Sequence, residues 1–253
     1  MTAATSSQWL RVGATVAAGR LRPPVGSSRR RSVCGAARVL TGLGVRVEVH
    51  VPATAWPRTG TGPLLVSNTA TALDPLALLT VVPGAAVAGV PDRLAGVPVP
   101  TVPAVSARVA THLRRGTPVS VRPEEGVRSG PGLGRFSPAL LAAAVDTGAA
   151  VCPVAVRWRG PASPPPGGRS TMAAMRWLAA SPGAVAEVHL LPALSSAGAT
   201  AQELATTAEY AVAAALEVGL AAVEGPRPPR PSPAQGGALD GAEGGGQRGP
   251  STR

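Results

Sequence analysis

The chain has 253 residues, which suits one medium domain with a tail or two small domains. Hydrophobic residues make up 45% of it, so a wholly disordered chain is excluded, and the scarcity of aromatic residues (2%) predicts a core of small aliphatic side chains. The net charge is +11 and every one of the 24 basic residues is arginine. Such a bias in composition lowers the functional weight of any single arginine.

Strands and helices alternate along the central part of the chain. Residues 45–51 alternate strictly between apolar and polar side chains, as a half-buried strand does. Gly148 is placed to end a helix, and Thr200 precedes Glu203 at the spacing of a capping box. The predicted elements are, in chain order, strand 45–51, strand 63–67, helix 73–82, strand 85–90, helix 105–115, strand 117–121, helix 136–147, strand 151–158, helix 171–180, strand 185–191 and helix 201–223. This order predicts a single α/β domain with a largely parallel, helix-covered sheet.

The two ends of the chain differ from this central part. Residues 223–253 are rich in Gly and Pro and almost without large apolar side chains, which predicts a disordered tail. Residues 1–34 form a basic leader that is predicted to be mostly disordered. The folded domain is therefore expected to span residues 35–222.

The charge is concentrated near the start of the chain. Residues 1–47 contain eight arginines and no acid, a distribution that attracts an anionic membrane surface or nucleic acid. Aromatic residues interleaved with the basic ones, which nucleic-acid readers use, are missing, so the membrane is favoured and no nucleic acid is expected. No apolar run reaches the length of a membrane span, and the start is a poor secretory signal. We expect a cytoplasmic protein, peripheral on the inner face of the cell membrane.

Few residues are suited to acid–base or metal chemistry. Cys34 and Cys152 lie far apart and fit neither a disulfide framework nor a zinc site, so idle thiols in a reducing compartment are expected. The three histidines, His50, His112 and His189, have no Ser, Cys or carboxylate partner at a telling spacing, and structural or surface roles are favoured for them. No metal site and no bound cofactor are predicted.

Several segments in order resemble the 1-acylglycerol-3-phosphate acyltransferase (lysophosphatidate acyltransferase) family of glycerolipid synthesis, over about residues 38–218. The segments are Leu43-Gly-Val-Arg-Val-Glu-Val49, Gly62-Pro-Leu-Leu-Val-Ser-Asn68, Val87-Ala-Gly-Val-Pro-Asp-Arg-Leu94, Leu113-Arg-Arg-Gly116, Pro123-Glu-Glu-Gly-Val-Arg-Ser129 and Thr147-Gly-Ala-Ala-Val-Cys-Pro-Val-Ala-Val156. The resemblance implies the α/β fold of these acyltransferases and a transfer from acyl-CoA or acyl carrier protein, as acyl donor, to a lysophospholipid hydroxyl.

The resemblance also implies a catalytic pair, with one departure. In that family a strand ends in Asn-His, and an Asp that follows orients the His, which is the general base. Here Asn68 and Asp74 match, but Thr69 stands at the position of the His. A positioned general base contributes about 10²–10⁴ in rate, so the substitution predicts impaired transfer.

The remaining family blocks imply substrate contacts. The turn Glu124-Glu125-Gly126-Val127-Arg128-Ser129 is similar to the family's third block, Phe-Pro-Glu-Gly-Thr-Arg-Ser, and its Arg fork suits the phosphate oxygens of an acidic head group. The residues implied to bind substrate are Asn68, Glu124, Glu125, Gly126, Arg128 and Ser129. A plain surface turn is the alternative for this segment. In the shortened second block, Arg108 is either a displaced phosphate ligand or a solvated helix residue.

Three functions are compatible with these features. The first is a membrane-associated acyltransferase of phospholipid synthesis, acting on a lysophospholipid and an acyl thioester. The second is a catalytically inactive pseudoenzyme that keeps the groove and binds lipid. The third, a basic nucleic-acid-associated protein, is the weakest because the arginines are dispersed and the chain resembles a lipid enzyme.

Overall fold

The computed structural model describes residues 26–57, 60–124, 133–160 and 170–223, with side chains up to residue 217. Within them the elements are α1 (Ser28–Gly42), β1 (Arg46–His50), β2 (Leu64–Ser67), α2 (Asp74–Val81), β3 (Ala86–Ala88), β4 (Arg93–Leu94), β5 (Val97–Pro98), β6 (Thr101–Val102), α3 (Ser106–Arg114), β7 (Val119–Val121), a 3₁₀ turn (Pro138–Leu140), α4 (Ala142–Thr147), β8 (Val151–Arg159), α5 (Thr171–Ala180), β9 (Val185–Leu190) and α6 (Ala201–Val223).

Seven of these strands form one sheet in the order β1-β9-β8-β2-β7-β3-β6, and β4 pairs with β5 in a separate hairpin. Neighbouring strands of the sheet run parallel, except for the antiparallel pair of β8 and β9. Strands β2 and β7 are neighbours near the middle of the sheet, where both are fully buried. The largely parallel sheet predicted from the sequence is confirmed.

Helices cover both faces of the sheet, because side chains along each strand alternate between two cores. Leu65 of β2 packs in the core beneath α1, α2 and α5, whereas Leu64 and Val66 pack in the core beneath α3, α4 and α6. A parallel sheet covered on both faces needs apolar residues on both sides of each central strand. The single α/β domain expected from the sequence is therefore confirmed.

The domain begins earlier than the sequence predicted. Helix α1 starts at Ser28, with the Ser27 hydroxyl accepting the Arg30 N–H at 3.3 Å, and its Ala36 and Leu40 are buried in the core. The predicted boundary at residue 35 is thus seven residues late, and the last part of the proposed leader belongs to the domain. Residues 1–25 and 224–253 lie outside the described residues.

The helix predicted over residues 136–147 is also shorter than expected. Phe136 forms a β-bridge with Glu124, the 3₁₀ turn follows at Pro138, and α4 begins only at Ala142. The helix ends as predicted at Gly148, which adopts the left-handed conformation with φ of 65°. The bridge pairs Phe136 with Glu124, so the chain at Phe136 is extended rather than helical.

The longest described helix, α6, shows the predicted capping box. Thr200 and Glu203 exchange hydrogen bonds, with Thr200 N–H donating to the carboxylate at 2.8 Å and Glu203 N–H donating to the Thr200 hydroxyl at 3.2 Å. Leu204 and Ala208 bury one side of α6 in the second core. Among the described helices, we find none with the length and apolar character that crossing a bilayer demands.

Both cysteines are free thiols. Cys34 lies half-buried on α1, and Cys152 is completely buried in β8. Burial raises the pKa of the Cys152 thiol to about 12. This thiol therefore stays protonated and unreactive at neutral pH, as expected for a structural cysteine.

Candidate functional site

The predicted site residues gather where β2 and β7 end. These two strands are parallel neighbours, so their carboxyl ends meet at one edge of the sheet, where α/β proteins commonly bind their ligands. The turn of residues 68–73 follows β2 and leads into α2, and Glu124 follows β7 by three residues. Residues more than fifty positions apart in sequence thus come into contact at this edge.

Asn68 anchors the start of the turn to strand β8. Its side-chain amide donates to the Val156 carbonyl at 2.9 Å, and its Oδ1 accepts the Val156 N–H at 2.7 Å. The amide thus continues the pairing of β2 with β8 after the main chain of β2 has turned away. Asn68 is buried, and its amide is occupied by this strand, whereas the family resemblance implied a substrate contact.

Asp74 anchors the end of the same turn from the first residue of α2. Its carboxylate accepts the N–H of Ala70 at 2.7 Å, the N–H of Thr71 at 3.0 Å and the Thr71 hydroxyl at 2.9 Å. The indole N–H of Trp158, on β8, donates to Oδ1 at 2.7 Å. Asp74 is completely buried, and its carboxylate closes the turn on itself and ties it to the sheet.

Between these two anchors, Thr69 contacts Glu124. The Thr69 N–H donates to Glu124 Oε2 at 3.1 Å. The N–H of Gly134 donates to Oε1 at 3.3 Å. Thr69 and Glu124 are both half-buried, in contrast to Asn68 and Asp74. This pair is thus the partly open portion of the site.

The two carboxylates of the site have raised pKa values. Burial raises the pKa of Asp74, against the lowering effect of hydrogen bonds from Thr71, Trp158 and Ala70. Burial also raises the pKa of Glu124, and the negative charge of Asp74 adds to the rise. Carboxylates with raised pKa values and specific partners in a cleft are common at functional sites.

Other residues implied by the resemblance have different outcomes. Glu125, Gly126, Arg128 and Ser129 lie outside the described residues. Arg108 is exposed on α3. The Val-Cys-Pro-Val-Ala block forms the first part of β8 and is buried beside β2.

The histidines lie away from the Asp74 carboxylate. His112 is on α3, and the rings of His50 and His189 stack on each other, with centroids 4.2 Å apart, on strands β1 and β9. Burial lowers the pKa of His189, and the neighbouring His50 lowers it further. None of the three is among the hydrogen-bond partners described for Asp74. An imidazole in place of the missing base is therefore not found in the described part of the site.

A second polar cluster surrounds the stacked rings. The ligand-type atoms of Glu48, His50 and Glu187 lie within 4.8 Å of one another, a spacing compatible with a metal ion. The guanidinium of Arg159, however, pairs with both carboxylates, contacting Glu187 closely and Glu48 at 3.5 Å. Arg46 also lies 4.0 Å from Glu48, so the two arginines supply the positive charge that a cation would supply, and the cluster is adequately explained as an ion-pair network on the sheet face.

Two site residues were missed from the sequence. Trp158 donates to Asp74 from 84 positions away, and Gly134 donates to Glu124 after the loop that follows β7. The sequence predicted Trp158 only as the last residue of a strand. The one signal that could have pointed to a special role for Trp158 was the scarcity of aromatic residues in this chain. A buried indole usually finds an acceptor for its N–H.

Searches against known protein-family models and against curated proteins gave no match. Among solved structures, the fold is similar to that of the 1-acyl-sn-glycerophosphate (LPA) acyltransferase PlsC from Thermotoga maritima, with a TM-score of 0.57 at 18% sequence identity. The similarity covers 83% of this chain and 88% of that chain. At this level of identity the comparison shows that the two proteins share a fold.

Proposed function

We propose that this protein transfers an acyl group from an acyl thioester to the hydroxyl of a lysophospholipid of the 1-acylglycerol-3-phosphate type. The observation that carries the proposal is the contact between Thr69 and Glu124 at the carboxyl edge of β2 and β7, within a fold shared with an acyltransferase that acts on such lipids. Fold alone does not assign an activity, so the assignment depends on these site residues. The donor is acyl-CoA or acyl carrier protein, and no further cofactor is needed.

The proposed rate is low. A threonine hydroxyl is not a base at neutral pH, and a positioned base contributes about 10²–10⁴ in rate. The carboxylate of Asp74 is surrounded by donors from Ala70, Thr71 and Trp158, so it is not available to a substrate hydroxyl. We therefore do not propose transfer through an imidazole held by Asp74 for this chain.

The phosphate of the acceptor is proposed to bind at the turn that follows Glu124. Arg128 supplies a planar guanidinium that suits phosphate oxygens, and Ser129 supplies a hydroxyl. Gly126 permits a close approach of the backbone to the ligand. The arginines near the start of the chain are proposed to bring the protein to the anionic inner face of the cell membrane, where lysophospholipids reside.

A catalytically inactive lipid-binding protein is the second candidate. The observation that favours it is the combination of Thr69 with an Asp74 that is fully occupied by structural hydrogen bonds. Such a protein would keep the phosphate-binding turn and the groove but transfer no acyl group. The two candidates share the ligand and differ only in turnover.

The test is acyl transfer from radiolabelled acyl-CoA or acyl carrier protein to lysophosphatidate, together with lysophosphatidate binding. We expect slow, saturable transfer that Arg128→Ala weakens mainly through KM. The matched control is Arg114→Ala, which removes an exposed arginine of α3 and is expected to leave transfer unchanged. Binding without transfer from either donor would favour the inactive candidate, and neither binding nor transfer would contradict both.

A further inference from the structure

Two carboxylates meet at the turn after β2: Asp74, which is completely buried, and Glu124, which follows β7 and is half-buried. We propose that Glu124 is the general base of this site and accepts the proton of the acceptor hydroxyl, in place of an imidazole at position 69. The inference rests on the proposed acyl transfer and identifies the residue that performs its proton step.

Counting hydrogen-bond donors separates the two carboxylates. An ionised carboxylate offers about four lone-pair sites on its two oxygens. Asp74 receives the Ala70 N–H, the Thr71 N–H, the Thr71 hydroxyl and the Trp158 indole, which fill these sites, and it is completely buried. A substrate hydroxyl therefore has neither access to Asp74 nor a free lone pair on it.

Glu124 differs on both counts. Among the described residues, its donors are the Thr69 N–H at 3.1 Å on one oxygen and the Gly134 N–H at 3.3 Å on the other, two donors against the four that reach Asp74. The residue is half-buried, at the edge where β2 and β7 end. Two backbone N–H groups from different segments fix the orientation of the carboxylate, as a general base requires before its substrate arrives.

The environment also makes Glu124 a better base than an exposed glutamate. Burial raises its pKa, and the nearby charge of Asp74 raises it further, whereas the N–H donors lower it. A base is most effective when its pKa lies near the working pH, so an upward shift from the ordinary range of a glutamate favours proton acceptance. The backbone N–H of Thr69 helps to position this carboxylate.

The chemical step then balances without any further reagent. The acceptor oxygen attacks the thioester carbonyl carbon while its proton passes to the Glu124 carboxylate. The new C–O ester bond forms, the C–S bond breaks, and the departing thiolate takes the proton back from Glu124. The products are the acylated phospholipid and the free thiol, and Glu124 returns to its ionised form.

The experiment compares Glu124→Gln and Glu124→Asp in the full-length protein. The substitution Glu124→Gln is expected to lower kcat about 10²-fold or more, with a much smaller change in KM for lysophosphatidate. Glu124→Asp keeps the carboxylate on a shorter stem and is expected to retain intermediate activity. The control is Glu217→Gln, which changes an exposed residue of α6 and is expected to leave kcat unchanged.

The pH profile separates a base from a merely structural residue. Because the base must be ionised, kcat of the native protein should fall as the pH is lowered through the raised pKa of Glu124, at a higher pH than for an ordinary glutamate. This acid limb should be missing in the residual activity of Glu124→Gln. Thermal unfolding of each variant is measured together with the pH profile. Glutamine has one side-chain oxygen, so it can accept only one of the two backbone N–H groups that glutamate accepts.

Three results would overturn the inference. Full kcat in Glu124→Gln would exclude Glu124 as the base while leaving the proposed acyl transfer intact. A second contrary result would be a fall of kcat at low pH that persists in Glu124→Gln, together with a loss of kcat in Glu124→Asp that parallels its loss of stability. This result would assign a structural role to Glu124. Absence of transfer in the native protein from both acyl-CoA and acyl carrier protein would overturn the proposed function itself, and the inference with it.

Discussion

The Asp74 carboxylate is held by four donors within a fully buried turn, so its first role is structural. Replacing Asp74 by Ala leaves the N–H groups of Ala70 and Thr71 and the indole of Trp158 without an acceptor. An unsatisfied buried donor costs about 1–3 kcal/mol, so we expect Asp74→Ala to lower the free energy of unfolding by about 2–5 kcal/mol. Urea denaturation measures this loss.

The matched control for this prediction is Trp158→Phe. It removes a single donor to Asp74 and keeps the aromatic ring that packs edge-to-face on Trp177, with ring centroids 6.4 Å apart. We expect a loss of about 1 kcal/mol from this variant. Equal stability of Asp74→Ala and the native protein would contradict the structural role of the carboxylate.

The substitution Thr69→His restores the family's residue, yet its benefit is limited by Asp74. The carboxylate that would orient the imidazole already accepts from Thr71 and Trp158. We therefore expect Thr69→His to raise the transfer rate by well under the roughly 10²–10⁴ of a positioned base. Combining it with Trp158→Phe frees one acceptor position on Asp74 and should raise the rate further. A decrease of the rate in the double variant relative to Thr69→His would contradict this account.

At the scale of elements, Asn68 decides where β2 ends and how the turn leaves it. Its amide replaces one step of backbone pairing with β8 through both the N–H and the carbonyl of Val156. The substitution Asn68→Ala leaves both groups unsatisfied in a buried position, so we expect a loss of about 1–3 kcal/mol in the free energy of unfolding. Denaturant unfolding checks the stability.

The companion variant Asn68→Asp tests the direction of these two hydrogen bonds. Aspartate keeps the acceptor for the Val156 N–H but cannot, when ionised, donate to the Val156 carbonyl, and it places a charge in a buried position. We expect it to be at least as destabilising as Asn68→Ala, when both are measured above pH 7. An aspartate variant as stable as the native protein would show that the donated bond to Val156 is unimportant.

The sequence predicted most of the elements because their signals are local. The alternation over residues 45–51, the glycine at 148 and the capping box at Thr200 each identify an element or its end from adjacent residues. Helix α1 was missed because its first turn, Ser28 followed by three arginines, has no apolar residue, although Ala36, Val39 and Leu40 follow the helical spacing. The segment at Phe136 was assigned to a helix because its extended shape depends on a bridge to Glu124.

The candidate site was predicted only in part, since its contacts depend on strand order. Residues 68, 69 and 74 follow from the resemblance, but the contact of Thr69 with Glu124 exists because β2 and β7 are neighbours in the sheet. The order β8-β2-β7 cannot be deduced from the order of elements along the chain. For the same reason the donation from Trp158 to Asp74 was not anticipated.

For the molecule as a whole, the distribution of charge predicts how it meets a membrane. Arg29, Arg30 and Arg31 are exposed in the first turn of α1, which contains no acid. Cations at a helix N-terminus oppose the helix dipole, so these arginines do not serve the stability of α1. Together they form an exposed positive patch that suits an anionic surface. Since α1 packs in the core, the patch is tested by substitution, and any deletion of the preceding residues must stop before Ser28.

We therefore expect the full-length protein to bind vesicles with anionic lipid and to bind zwitterionic vesicles weakly. Each arginine near such a surface contributes about 1 kcal/mol, so replacing Arg29, Arg30 and Arg31 by Ser should weaken binding about 10²-fold at low salt, as measured by co-sedimentation. Deletion of residues 1–25 removes three further arginines and should have a similar effect. The control replaces the exposed Arg114 and Arg115, which removes two charges against the three of the patch. Because the attraction is screened by ions, binding should weaken as salt is raised.

Retention that is insensitive to salt and equal on both vesicle types would instead require an apolar anchor. An equal loss of binding in the control would mean that net charge, rather than the patch on α1, governs the association.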